Sequence, residues 1–113
     1  MIIIREREIE LKLRKATTDR GGLCLKFTPQ SWAGAPDRLV LLPGGRMGFV
    51  EVKAPGQTPR PLQVRRHSQL AELGYVVLVL DSPDRVDKVL DEIEQFHADK
   101  CRQQGGDAHV GSG

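Results

Sequence analysis

The sequence predicts an α/β protein, a mixed β-sheet flanked by helices in the order αβββαβα. Three observations carry this reading. Apolar residues recur at helical spacing near residues 5–20 and from Ser82 onward, and Pro61 and Gly74 bound a further helix over 62–73. Four short runs rich in Leu, Val and Phe stand between or beside them, bounded by Gly and Pro. The helical stretch between the third and fourth runs is long enough to cross the sheet, which makes that last pairing parallel and right-handed.

The first helix covers about residues 5–20, with Ile9, Leu13 and Ala16 as its apolar stripe and Gly21-Gly22 as its stop. Leu23 to Thr28 reads as a strand, in which Cys24 is expected as a buried thiol. Pro29 to Pro36 is a Gly/Pro/Ser-rich loop. Arg38–Leu42 and Met47–Lys53 are strands joined through Pro43-Gly44-Gly45-Arg46, so they form a hairpin. Ala54 to Pro61 carries three prolines and a glycine and reads as an ordered loop or flap. A helix from Leu62 to Leu73 follows, with Pro61 fitted to its first turn and Gly74 to its end. Tyr75 to Leu80 is almost purely apolar, as in a strand covered on both faces. Ser82 as N-cap and Pro83 at the first position open the last helix, whose buried stripe is Val86, Val89, Leu90, Ile93 and Phe96. One domain is expected over 1–102, with a disordered polar, Gly-rich tail over 103–113.

Composition excludes some classes. The chain has 113 residues, 39% hydrophobic and 28% charged, as in a globular domain with one modest core. No apolar run approaches the roughly 18–20 residues of a membrane span, and Met1–Ile4 is too short for a signal peptide, so a cytoplasmic location is expected. Cys24 and Cys101 lack metal-ligand spacing, and a disulfide is not expected. The net charge of +2 is uninformative, but Arg60, Arg65, Arg66 and His67 cluster downstream of Lys53. That cluster is either a phosphate-facing patch or a solvated helix face.

The chemistry concentrates in Ala35-Pro36-Asp37-Arg38 and Glu51-Val52-Lys53. Alternation along a strand puts Glu51 and Lys53 on one face and Val50 and Val52 on the other, toward the core. Two carboxylates, Asp37 and Glu51, suit a hard divalent cation, to which the Val52 carbonyl can add a third oxygen. Lys53 can then serve the attacking water and the transition-state phosphate. The plainer alternative is a polar strand face with Asp37 as a turn residue. On the first helix, Glu6 lies roughly 50° from the stripe centre, Glu10 roughly 90° and Glu8 roughly 110°. Glu6 is therefore the acid most nearly aimed inward, unless it pairs with a nearby base. Gln63, in the first turn after the flap, either holds a water or phosphate oxygen near the cation or is a surface amide.

Taken in order, Gly22–Phe27, Gly34-Ala35-Pro36-Asp37-Arg38, Gly44-Gly45, Phe49–Gly56 and Arg60-Pro61-Leu62-Gln63 resemble the VRR-NUC (virus-type replication-repair nuclease) domain of the restriction-endonuclease-like PD-(D/E)xK superfamily. The resemblance spans about Glu6 to Ser82. It implies a restriction-endonuclease-like sheet, Mg²⁺ or Mn²⁺ at Asp37, Glu51 and the Val52 carbonyl, Lys53 as catalytic lysine, and Gln63 as an active-site residue. It also implies a first-helix glutamate at Glu6, with Glu10 as the alternative register. Ala35 departs from the usual pattern without touching the chemistry. The activity implied is phosphodiester hydrolysis by a DNA endonuclease of phage or bacterial type, structure-selective on branched DNA such as Holliday junctions, and homodimeric. Lys26, Arg38, Arg60, Arg65 and Arg66 are the candidate DNA phosphate contacts, with a structural ion pair as the alternative for Arg38. Two rivals remain: a non-catalytic nucleic-acid-binding module of the same fold, and an RNA-processing nuclease, which the scarcity of aromatics disfavours.

Overall fold

The computed structural model describes residues 3–103, with side chains through His97. Met1-Ile2, the tail from 104 onward and the Cys101 side chain lie outside the described residues. The element order is α1 (Glu6–Asp19), β1 (Leu23–Lys26), β2 (Arg38–Leu42), β3 (Arg46–Val52), α2 (Pro61–Glu72), β4 (Val77–Leu80), a 3₁₀ turn (Pro83–Arg85) and α3 (Val86–Gln103). The strands lie in the order β1-β2-β3-β4. β1, β2 and β3 pair antiparallel, and β4 pairs parallel to β3. The expected meander with a helical crossover is therefore present. Its one long helix, α3, continues one residue past the anticipated domain end at 102.

One face of the sheet carries the core. Val40, Leu42, Val50, Val52 and Leu80 pack there against Ile9 and Leu13 of α1 and Val86, Val89, Leu90 and Ile93 of α3. The α1 stripe ends on Thr17 rather than Ala16: Thr17 is fully buried and Ala16 only half so. A buried hydroxyl needs a partner, and Thr17 Oγ1 donates to the Leu13 carbonyl at 2.7 Å. Arg20 then joins α1 to α3, reaching Asp91 at 3.0 Å, Glu94 at 3.3 Å and Asp87 at 3.4 Å. At Gly48 the α3 side chains come so close to β3 that an added Cβ would sit 2.8 Å from Ile93 Cγ1, so this strand position excludes any side chain.

The other face of β3 and β4 is covered by α2. Phe27 meets Phe49 there at a tilt and Phe49 meets Tyr75 edge-on, with ring centroids 5.4 Å and 5.9 Å apart. Two expectations need correcting. β4 is less enclosed than its apolar run suggests: Val77, Leu78 and Val79 are half-buried and only Leu80 is buried. It is an edge strand, and an apolar run cannot by itself reveal which side lacks a neighbour. Cys24 is half-buried rather than buried, for the same reason at the opposite edge, although it packs against the core and burial pushes its thiol up. Ser82 accepts from the Asp84 N–H at 3.2 Å, but it caps a 3₁₀ turn that precedes α3 rather than the last helix itself.

Candidate active site

The site forms where β2 begins and β3 ends. Continuing the β2–β3 register past Arg38↔Val50 would set Pro36 opposite Val52. Proline has no N–H to offer the Val52 carbonyl. The Val52 N–H donates instead to Asp37 Oδ1, at 3.0 Å. In an extended strand a residue's N–H and C=O point the same way, so the Val52 carbonyl opens on the side where Asp37 stands. A Pro-Asp dipeptide at a strand start thus replaces a ladder bond with a carboxylate and leaves a backbone oxygen beside it.

Arg38 points to the core side and Asp37 to the α2 side. Glu51 stands on that side too and is 3% exposed. Two residues of α2, one turn apart, hold it. Gln63 Nε2 donates to Glu51 Oε2 at 3.2 Å, and His67 Nε2 lies 3.3 Å from Oε1. The other end of the Gln63 amide accepts from the Arg60 N–H at 2.9 Å. Each end of the Gln63 amide thus makes one hydrogen bond within the protein, and through Nε2 it anchors Glu51. Pro61 at the first helical position starts α2 where this can happen.

Electrostatics single out the same residues. Burial pushes the Asp37 carboxyl up to about 6, with Glu51 and Glu6 adding repulsion against the Val52 hydrogen bond and Arg38. Glu51 is likewise raised, by burial first, while Lys53 and Arg60 oppose the shift and Glu6 adds to it. Burial lowers the His67 imidazole, with Asp37 and Lys53 pulling in opposite directions. Lys53 is half-buried and feels Glu51 without pairing directly to it among the described residues.

The first-helix acids separate. Glu10 forms an ion pair with Arg38, whose side chain is only 7% exposed. Glu6 is exposed, and its charge acts on both Asp37 and Glu51. Of the five candidate phosphate contacts, Lys26, Arg60 and Arg65 are exposed. Arg38 takes the alternative role expected of it, a structural ion pair, and Arg66 is half-buried. Arg38 is buried with Glu10. Arg66 is committed to the loop before β2: its Nε donates to the Ala33 carbonyl at 2.8 Å, it pairs with Gln69 at 3.0 Å, and its guanidinium lies 5.0 Å from the Trp32 ring centre. Sequence reasoning grouped His67 with the basic patch and missed its place beside Glu51. The helical spacing from Gln63, four residues, was the available signal.

No group of three His, Cys, Asp or Glu side chains converges at metal-holding distance among the described residues. The donor set is two carboxylates and a main-chain carbonyl, all oxygen, which fits a hard divalent cation that keeps several waters. Two desolvated, mutually repelling carboxylates with raised proton affinity are the electrostatic counterpart of such a site.

No protein-family model matches the chain. A solved structure of a VRR_NUC domain superposes with a TM-score of 0.71 at 34% identity, over 76% of this chain and 94% of that one. A curated relative, "Putative nuclease p44" of Acyrthosiphon pisum secondary endosymbiont phage 1, is 49% identical over 84 residues, 74% of this chain and 90% of its own length. The chain belongs to the VRR-NUC family. As a VRR-NUC domain it has the four-stranded mixed sheet and three helices of that fold. No helix among the described residues of this VRR-NUC protein is long and apolar enough to cross a membrane.

Proposed function

We propose that this VRR-NUC protein is a DNA endonuclease that hydrolyses phosphodiester bonds with Mg²⁺ or Mn²⁺ held by Asp37, Glu51 and the Val52 carbonyl. The observation that carries the reading is the Asp37–Val52 hydrogen bond. It brings one carboxylate to the strand end that bears the other, beside a carbonyl and a lysine. A bound divalent cation would polarise the phosphate and lower the pKa of a coordinated water.

The chain's own residues supply the rest. Asp37 and Glu51 fix the position at which a scissile phosphate is met. Lys53, on the Glu51 face, orients the nucleophilic water and offsets charge that grows on the phosphate oxygens. Glu6 stands at the edge of the site, where an exposed carboxylate can order a second water. Gln63 keeps Glu51 in place through its two hydrogen bonds. Lys26, Arg60 and Arg65 are exposed cations for the flanking DNA phosphates.

Branched DNA, four-way junctions among it, is the proposed substrate. A homodimer is the proposed form, because two dyad-related sites suit paired cuts. A phage-infected bacterial cytoplasm is the proposed setting, in keeping with the phage origin of p44. Labelled four-way, flapped, nicked and linear DNA incubated with Mg²⁺ or Mn²⁺ tests this. We expect cutting of the branched forms, lost in EDTA and in Asp37→Ala and Lys53→Ala. Cutting that persists in Asp37→Ala refutes the site. Junction binding without cutting by the wild type favours the non-catalytic module, and stronger competition by matched RNA favours an RNA-processing nuclease.

A further inference from the structure

Gln63 alone does not account for how Glu51 is held. The Glu51 carboxylate is buried, and its two oxygens meet two different side chains of α2. Gln63 Nε2 takes Oε2, and His67 Nε2 lies 3.3 Å from Oε1. The two grips come from residues four apart on one helix, which share a face. The His67 side chain is only 14% exposed, and its position is fixed by the same helix that Pro61 and the Arg60–Gln63 hydrogen bond start.

We propose that His67 is a positioning residue that, with Gln63, fixes the Glu51 carboxylate so that its remaining lone pairs face Asp37. This rests on the reading of Asp37 and Glu51 as the cation site. An ionised carboxylate has about four acceptor positions. One hydrogen bond to each oxygen, both from the α2 side, leaves the others turned toward the strand ends. For His67 to hold Oε1 it must donate, so its neutral ring carries the proton on Nε2. His67 is assigned to Glu51, whose Oε1 it faces, and not to the cation. Partners that orient a ligating carboxylate typically change metal affinity about 10- to 100-fold when removed.

Two substitutions separate orientation from packing. His67→Gln keeps an N–H close to the place of Nε2, whereas His67→Leu fills the space without a donor. Calorimetric titration of Mn²⁺ into each full-length, metal-free protein, without DNA, is the first arm. We expect His67→Leu to weaken binding about 10- to 100-fold and His67→Gln to restore it to within a few-fold. Equal affinity in His67→Leu overturns the proposal. If His67→Leu fails to fold, as judged by circular dichroism, His67→Asn takes its place, being too short to reach Oε1.

The second arm needs no metal. ¹⁵N spectra of the wild-type imidazole at about pH 8, above the ordinary histidine range, are expected to show the Nε2–H tautomer, perturbed in Glu51→Ala. An Nδ1–H tautomer overturns the proposal. If the wild type binds no Mn²⁺ at all, the cation reading of the site fails, while the spectra still decide whether His67 holds Glu51.

Discussion

Asp37 shows how much one side chain can reveal. Its carboxyl is raised to about 6 because it is withdrawn from water near Glu51 and Glu6. A folded pKa above the unfolded one means that the folded protein binds the proton more tightly. The resulting stabilisation is fully present below the unfolded value and is lost as pH rises through about 6. Glu51 is raised too, so it acts with the same sign. In EDTA, the urea midpoint of the wild type is therefore expected to fall relative to Asp37→Asn as pH rises from about 4 to 7, the range set by ordinary carboxylate and shifted Asp37 values. A parallel course of the two proteins would show that Asp37 is not desolvated. The two first-helix acids allow a second residue-scale comparison. Glu10→Ala strands the buried Arg38 charge and is expected to lower stability toward the lower end of the roughly 3–5 kcal/mol found for broken buried pairs, since Glu10 is itself partly exposed. Glu6→Ala removes an exposed like charge, so it is expected to leave the urea midpoint unchanged or raised while slowing cleavage.

Helix α2 is the element that organises the site. Its first turns grip Glu51 through Gln63 and His67, and Arg66 on the same helix grips the loop that leads into Asp37. The fit is close: a Cβ on Gly34, whose φ is +86°, would lie 2.7 Å from Leu62 Cγ and 3.2 Å from Arg66 Cγ. Arg66 is thus a structural clamp and Arg60 an exposed cation, although they read alike as basic residues in one stretch. Arg66→Ala is expected to shift the emission of Trp32, the sole tryptophan, and to lower kcat while leaving the salt dependence of DNA binding unchanged. Arg60→Ala is expected to reduce the salt slope by about one phosphate contact with little change in Trp32 emission. The same slope loss in Arg66→Ala would return Arg66 to the DNA surface.

At the scale of the whole molecule, the sheet brings distant chain segments to one point, and a ligand held there ties them together. A cation bound only by the folded state raises stability by about 2.7 kcal/mol at a hundredfold excess over its Kd. Mn²⁺ is accordingly expected to raise the melting temperature of the wild type and not that of Asp37→Ala; equal shifts would place the ion elsewhere. The order of elements, the hairpin and the parallel crossover were all legible in the chain, because periodicity, Gly/Pro punctuation and capping residues act over a few neighbouring residues. The strand alternation that separates Glu51 and Lys53 from Val50 and Val52 was legible for the same reason. The partners were not. That β4 and β1 are edges, that Arg38 belongs to Glu10, that Arg66 faces Trp32, and that Gln63 and His67 share Glu51 all depend on which surfaces meet across the sheet. Burial and hydrogen-bond satisfaction decide those meetings among residues far apart in the chain, and only the tertiary structure brings them together.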